Sequence, residues 1–116
     1  MVEADCLFCR IVCGKEPAKV VLDLEDFLAI ENKFPKAPIH ILVIDKKHRV
    51  KADTMSGKYS EEHYWGKLFK AINSVLKKMK LDETGYEIIY NGAGYNHYEH
   101  EHVHVLGGYK EKEPRL

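Results

Sequence analysis

The chain has 116 residues, equal numbers of basic (18) and acidic (18) side chains, and 45% hydrophobic residues. That length supports a single domain over residues 1–116 with a modest core needing no disulfide or metal to hold it, and the balanced charge argues against general nucleic-acid binding. No run approaches a membrane span, Glu3 and Asp5 stand where a signal peptide would be basic, and three cysteines fit no extracellular disulfide framework, so a cytoplasmic protein without membrane partners is expected.

Cys6 to Cys13 reads as a short helix, with Asp5 as N-cap and Gly14 as the residue that ends it. Lys15-Glu16-Pro17 then turns the chain. Val20-Val21-Leu22 and Phe27-Leu28-Ala29-Ile30 are short β-rich runs on either side of an acidic loop, which predicts an antiparallel hairpin. Pro35 and Pro38 fix an irregular loop before His40-Ile41-Leu42-Val43-Ile44, an almost continuous apolar run expected to be a central buried strand. The basic runs Lys46-Lys47-His48-Arg49 and Lys77-Lys78-Met79-Lys80 read as solvated ends of elements.

From Ser60 onward, Trp65, Leu68, Phe69, Ile72, Val75, Leu76 and Met79 recur at helical spacing, which predicts a helix of about six turns with one apolar face on the sheet. Tyr86 to Asn91 is another strand, and the flexible Asn91-Gly92-Ala93-Gly94 loop leads into a histidine-rich last strand. The expected architecture is α+β: a five-stranded antiparallel sheet with one long and one short helix.

Four of the seven histidines lie between His97 and His104, and His100, His102 and His104 alternate. On a strand these three share one face. Such an array can bind a metal, grip an anion, or present one ring as a nucleophile. An expression tag does not fit, because Val103, Val105 and Leu106 interleave the histidines and Gly107-Gly108 closes the run. A loose divalent-metal site with Glu99 and Glu101 stays open. His102 is best placed as nucleophile, since one flanking histidine can hold a structural partner while the other donates to a phosphate oxygen. The loop amides around Gly92 and the side chains of Asn91 and Asn96 are candidate anion donors.

Cys6-x-x-Cys9 is half of a tetrahedral zinc site whose other ligands would have to be histidines. A thioredoxin-like pair would follow a strand, and an iron–sulfur cluster would need a fourth thiolate. Ordinary buried thiols remain the alternative.

His100-x-His102-x-His104-Val105-Leu106 with Gly107-Gly108 resembles the histidine triad (HIT) signature, and the Gly-Gly ending is similar to its Hint branch of nucleoside phosphoramidate hydrolases. Asp5 to Val12 resembles the family's N-terminal helix, and Pro35 to Ile44 with Lys46-Lys47-His48 its central loop and strand. The resemblance implies a homodimer with joined sheets. It also implies hydrolysis at the α-phosphorus of a purine nucleotide, as by an adenosine 5′-monophosphoramidase: His102 attacks, His104 donates to phosphate oxygens, and water resolves a nucleotidyl-histidine. No catalytic metal is required. A structural zinc would be held by Cys6, Cys9, His48 and His100, so that His100 gives its ring to zinc and its backbone to His102. Leu7, Phe8 and Ile30 match the apolar wall of the base pocket. Dinucleoside polyphosphate hydrolysis, and a catalytically weak nucleotide-binding or scaffold module, are the alternatives.

Three positions depart from the family pattern. Asn32 stands where an aspartate usually meets the ribose, and Asn96 where a glutamine precedes the triad. Glu101 replaces an apolar residue between the first two triad histidines. Alternation puts Glu101 opposite the histidines, where it should be partly exposed or paired with a cation and stay clear of the chemistry.

Overall fold

The structure is a computed structural model that describes residues 5–59 and 61–109. Ser60, where the long helix was expected to begin, lies outside the described residues, as do residues 1–4 and 110–116. The helices are α1 (Leu7–Val12), α2 (Lys51–Met55), α3 (Glu61–Lys78) and α4 (Leu81–Thr84). The strands are β1 (Val20–Asp23), β2 (Phe27–Glu31), β3 (Ile39–Asp45), β4 (Tyr86–Ile89) and β5 (His102–Gly107), paired antiparallel in the order β1-β2-β3-β5-β4. The α+β fold with a five-stranded antiparallel sheet is as expected.

The apolar run Ile41-Leu42-Val43-Ile44 within β3 follows from cover on both faces. On one face Ala29, Ile41, Val43, Val103 and Val105 pack beneath Tyr64, Leu68, Ile72 and Val75 of α3. On the other, Leu28, Ile30, Leu42 and Ile44 meet Phe8 of α1. Burying each such aliphatic side chain contributes about 1.5–3 kcal/mol. His102 pairs with Ile44 and His104 with Leu42, so both histidines lie on the α1 face. Glu101 and Val103 lie on the α3 face.

Several local expectations need correction. The N-cap of α1 is Cys6, not Asp5: its sulfur accepts from the Cys9 amide at 3.4 Å, a cap that also turns both thiols inward. Two short helices, α2 and α4, join the long and the short one expected. α4 follows Lys80, whose left-handed backbone (φ 59°) breaks the helical run after α3. On α3, Tyr64 and Ala71 are buried, whereas Phe69 is more than half exposed beside Tyr86 of the edge strand. The apolar stripe is thus centred a little to one side of the residues that first suggest it.

The Lys46–Arg49 run is not simply solvated. Arg49 pairs with the buried Asp45 at 3.2 Å and covers the Tyr59 ring at 4.1 Å, while Lys46 pairs with Asp23. The last strand is shorter than the histidine run: β5 starts at His102, and His100 makes only an isolated bridge with Val50. The closing glycines have a packing reason. A Cβ on Gly107 would come within 2.6 Å of Leu81 and 3.0 Å of the Gly85 carbonyl, and Gly108 has φ +83°.

Candidate active site

The hydrogen bonds around the histidines fix which nitrogen of each ring carries the proton. His102 is buried, and its Nδ1–H donates to the His100 carbonyl at 2.7 Å, so Nε2 carries the free lone pair. His40, the one polar residue within the apolar run of β3, accepts the Lys36 amide at Nδ1 (3.1 Å). Its Nε2–H therefore donates to His104 Nδ1 at 2.8 Å, which leaves His104 Nε2–H as a donor. One ring thus offers a lone pair, and the next offers a proton. Burial is the main cause that holds both His102 and His104 down to about 4; the Lys51 ammonium contributes at each, and at His104 the neighbouring His102 and His40 rings contribute ahead of it. Burial, then Lys36, lowers His40 as well.

These rings form the floor of a cavity of about 1040 Å³. Leu7, Phe8, Ile30 and Leu42 make an apolar wall, and Lys33 and Lys36 bring positive charge to its rim. Phe8 meets His102 in an edge-type ring contact with centroids 5.0 Å apart. Asn32 also lines the cavity; its side-chain oxygen accepts the Phe34 amide at 2.9 Å, and its amide nitrogen lies 3.3 Å from His40.

The expected asparagine donors do not join this group. Neither Asn91 nor Asn96 lines the cavity, and the Asn96 amide nitrogen is used within its own loop, on the Tyr98 carbonyl (3.0 Å) and the Glu99 carboxylate (2.7 Å). His40 was missed as a site residue. Its sequence signal was present, since a histidine inside a buried apolar strand requires a partner.

Behind the cavity, Cys6, Cys9, His48 and His100 each place one ligand atom within 4.8 Å of the others. Cys6 Sγ lies 3.2 Å from His100 Nδ1, and Cys9 Sγ lies 3.2 Å from His48 Nδ1. His100 Nε2–H donates to the Asp45 carbonyl at 2.6 Å, so its Nδ1 lone pair faces the two sulfurs. Tetrahedral zinc with bonds of about 2.3 Å to sulfur and 2.0 Å to nitrogen sets neighbouring ligands about 3.5 Å apart. The donor types and the spacing fit that ion.

Glu101 is fully buried, which overturns partial exposure, and it meets the other expected arm by pairing with Lys51 at 3.1 Å.

The sequence model of the HIT domain matches residues 14–111. The chain belongs to the HIT family. Among HIT relatives, a 13.2 kDa HIT-like protein of Azospirillum brasilense is 38% identical over 104 residues, covering 88% of this chain and 84% of that one. A 14 kDa zinc-binding protein of Brassica juncea is 34% identical, covering 90% and 93%. Among solved HIT structures, a histidine triad protein from Clostridium difficile superposes with a TM-score of 0.83 at 32% identity, covering 99% and 100% of the two chains. A HIT family hydrolase from Legionella pneumophila Philadelphia 1 gives 0.76 at 31% identity, covering 95% and 98%. Among the described residues, no helix of this HIT protein is long and apolar enough to cross a membrane.

Proposed function

We propose that this HIT protein is a nucleoside 5′-phosphoramidate hydrolase of the Hint-like branch, acting on a purine nucleotide through a nucleotidyl-histidine. The observation that carries the reading is the proton placement: His102 Nε2 is bare and beside the cavity, with the His104 Nε2–H donor next to it. The lone pair attacks phosphorus and the P–N bond breaks, its electron pair leaving with the nitrogen, which takes a proton from solvent water and departs as the amine; the hydroxide equivalent so formed then attacks the His102–phosphorus bond, returns the electron pair to Nε2 and releases the nucleotide. His104 donates to the phosphate oxygens, and His100 contributes its carbonyl to His102. Leu7, Phe8 and Ile30 form the wall for the base, with Asn32 near the sugar. Positioned donors suffice for this chemistry, so no metal enters the reaction.

Zinc at Cys6, Cys9, His48 and His100 serves structure in this proposal, supported by the donor geometry and by the zinc-binding Brassica relative. The protein works in the cytoplasm as a homodimer joined through the β4 edge, where Tyr86 and Ile89 are exposed.

Lys33 and Lys36 at the cavity rim favour a second substrate class, dinucleoside polyphosphates, whose additional charges they would meet. The test is incubation with adenosine and guanosine phosphoramidates and with diadenosine polyphosphates, products being separated by chromatography. Release of AMP from the phosphoramidate at the higher kcat/KM supports the first reading. Preferential cleavage of the polyphosphate replaces it with the second, and no turnover on any of them overturns both.

A further inference from the structure

On the face of β5 turned away from the cavity, three donors, two from α2 and one from the chain just after β4, satisfy the Glu101 carboxylate. They are Lys51 Nζ at 3.1 Å, Thr54 Oγ1 at 2.7 Å and Tyr90 OH at 2.8 Å. Lys51 is only 2% exposed. Its ammonium also donates to the His102 carbonyl at 2.8 Å and sits 3.5 Å from the centre of the Tyr90 ring. Stability alone does not account for an ion pair here, because packed apolar side chains often serve a buried site as well or better.

Its position in the sheet supplies another account. β3 runs beside β5 as far as the Ile44–His102 pair, whereas β4 stops at the Ile89–His104 pair. His102 is therefore where β5 has lost its neighbour on one side, and its carbonyl accepts an ammonium in place of a strand amide. The preceding residue is fixed too: the Glu101 amide donates to the Arg49 carbonyl at 2.7 Å, and its carbonyl accepts the Asp45 amide at 3.1 Å. With the ring tied to the His100 carbonyl, every link from Glu101 to His102 Nε2 is held.

We infer that Lys51 and Glu101 form a positioning pair, braced by Thr54 and Tyr90, that locks the His102 backbone from behind the sheet without touching substrate. The inference rests on the proposed role of His102 as nucleophile.

Lys51→Met removes the ammonium, and Lys51→Met with Glu101→Leu replaces both charges by apolar side chains. The single variant should melt lower because it strands a buried carboxylate, and the double variant should recover most of that loss. With adenosine 5′-phosphoramidate the double variant should still lose at least about tenfold in kcat, with KM within about threefold of wild type. A purely structural pair would return kcat together with the melting temperature, and kcat within about twofold of wild type in the folded double variant overturns the inference. Tyr90→Phe, which removes one hydroxyl from Glu101, covers the case in which both charge variants fail to fold. It should lower kcat about threefold at unchanged KM, and an unchanged kcat there overturns the inference.

Nitrogen NMR of the His102 ring reads positioning without turnover: a single Nδ1–H tautomer in wild type should give way to a mixture in the double variant. If wild type hydrolyses none of the nucleotides while the tautomer shift appears, the hydrolase reading fails, and with it the catalytic purpose of the pair, while its hold on the His102 ring is shown. If wild type turns over and neither kcat nor tautomer changes, the positioning pair alone fails.

Discussion

At the scale of the residue, His102 depends on two groups it does not own: the His100 carbonyl that accepts its Nδ1–H hydrogen bond and the Lys51 ammonium that donates to its backbone carbonyl. His102→Ala is expected to keep the fold and nucleotide binding while turnover drops at least about a thousandfold, more than about 4 kcal/mol in barrier. Retention of a tenth of the wild-type rate in a single-turnover assay would rule out covalent attack by this ring.

Burial also shifts the response to acid. With His102 and His104 held down to about 4, both rings stay neutral well below the ordinary histidine value of 6.5. The acid limb of kcat/KM should accordingly fall below pH 5, and a midpoint near that ordinary value would contradict the burial of these rings. Stability moves in the same sense. Between the unfolded value of 6.5 and the folded value of about 4 the unfolded chain binds more protons, so stability present above 6.5 is lost progressively as pH falls towards 4. Denaturant midpoints measured across that range check the sign.

At the scale of the element, α1 and its N-cap bring two thiols to the cavity face of the sheet, and residues from the chain beyond β3 and before β5 complete the cluster. Protein prepared without chelator should carry about one zinc per protomer, and stripping the metal should lower the melting temperature by several degrees. Metal-free protein with an unchanged melting temperature would remove zinc from the account.

Periodicity made the strands, the long helix and the pairing of His102 and His104 on one face legible in the sequence. The short helices α2 and α4 were not, because each is a single turn or so whose existence depends on tertiary contacts such as the burial of Lys51 and Leu81. Cys6 and Cys9 announced themselves by spacing. The partners of Glu101 did not, since Lys51, Thr54 and Tyr90 are polar residues with no motif and meet only after three segments converge. The loop asparagines illustrate the converse: residue type suggested an anion donor, whereas the Asn96 amide bonds within its own turn, on Tyr98 and Glu99.

At the scale of the whole molecule, the sheet ends on one side at β4, which pairs only with β5 and exposes Tyr86 and Ile89, with Phe69 of α3 alongside. A second copy adding its own β4 would extend the ladder and cover those rings. Sedimentation should give about twice the mass of one chain, and Ile89→Lys should shift the population towards single chains. A wild-type protein that sediments as one chain at high concentration would refute that assembly.

The alternation along β5 makes that strand a partition, with solvent chemistry on one side and the oily interior on the other, addressed by odd and even residue numbers. Slipping the chain by one position would present Glu101 and Val103 to the cavity and push two imidazoles beneath α3. Intermediate versions of this site do not exist along that coordinate. A deletion of one residue within the paired strand therefore erases the site outright.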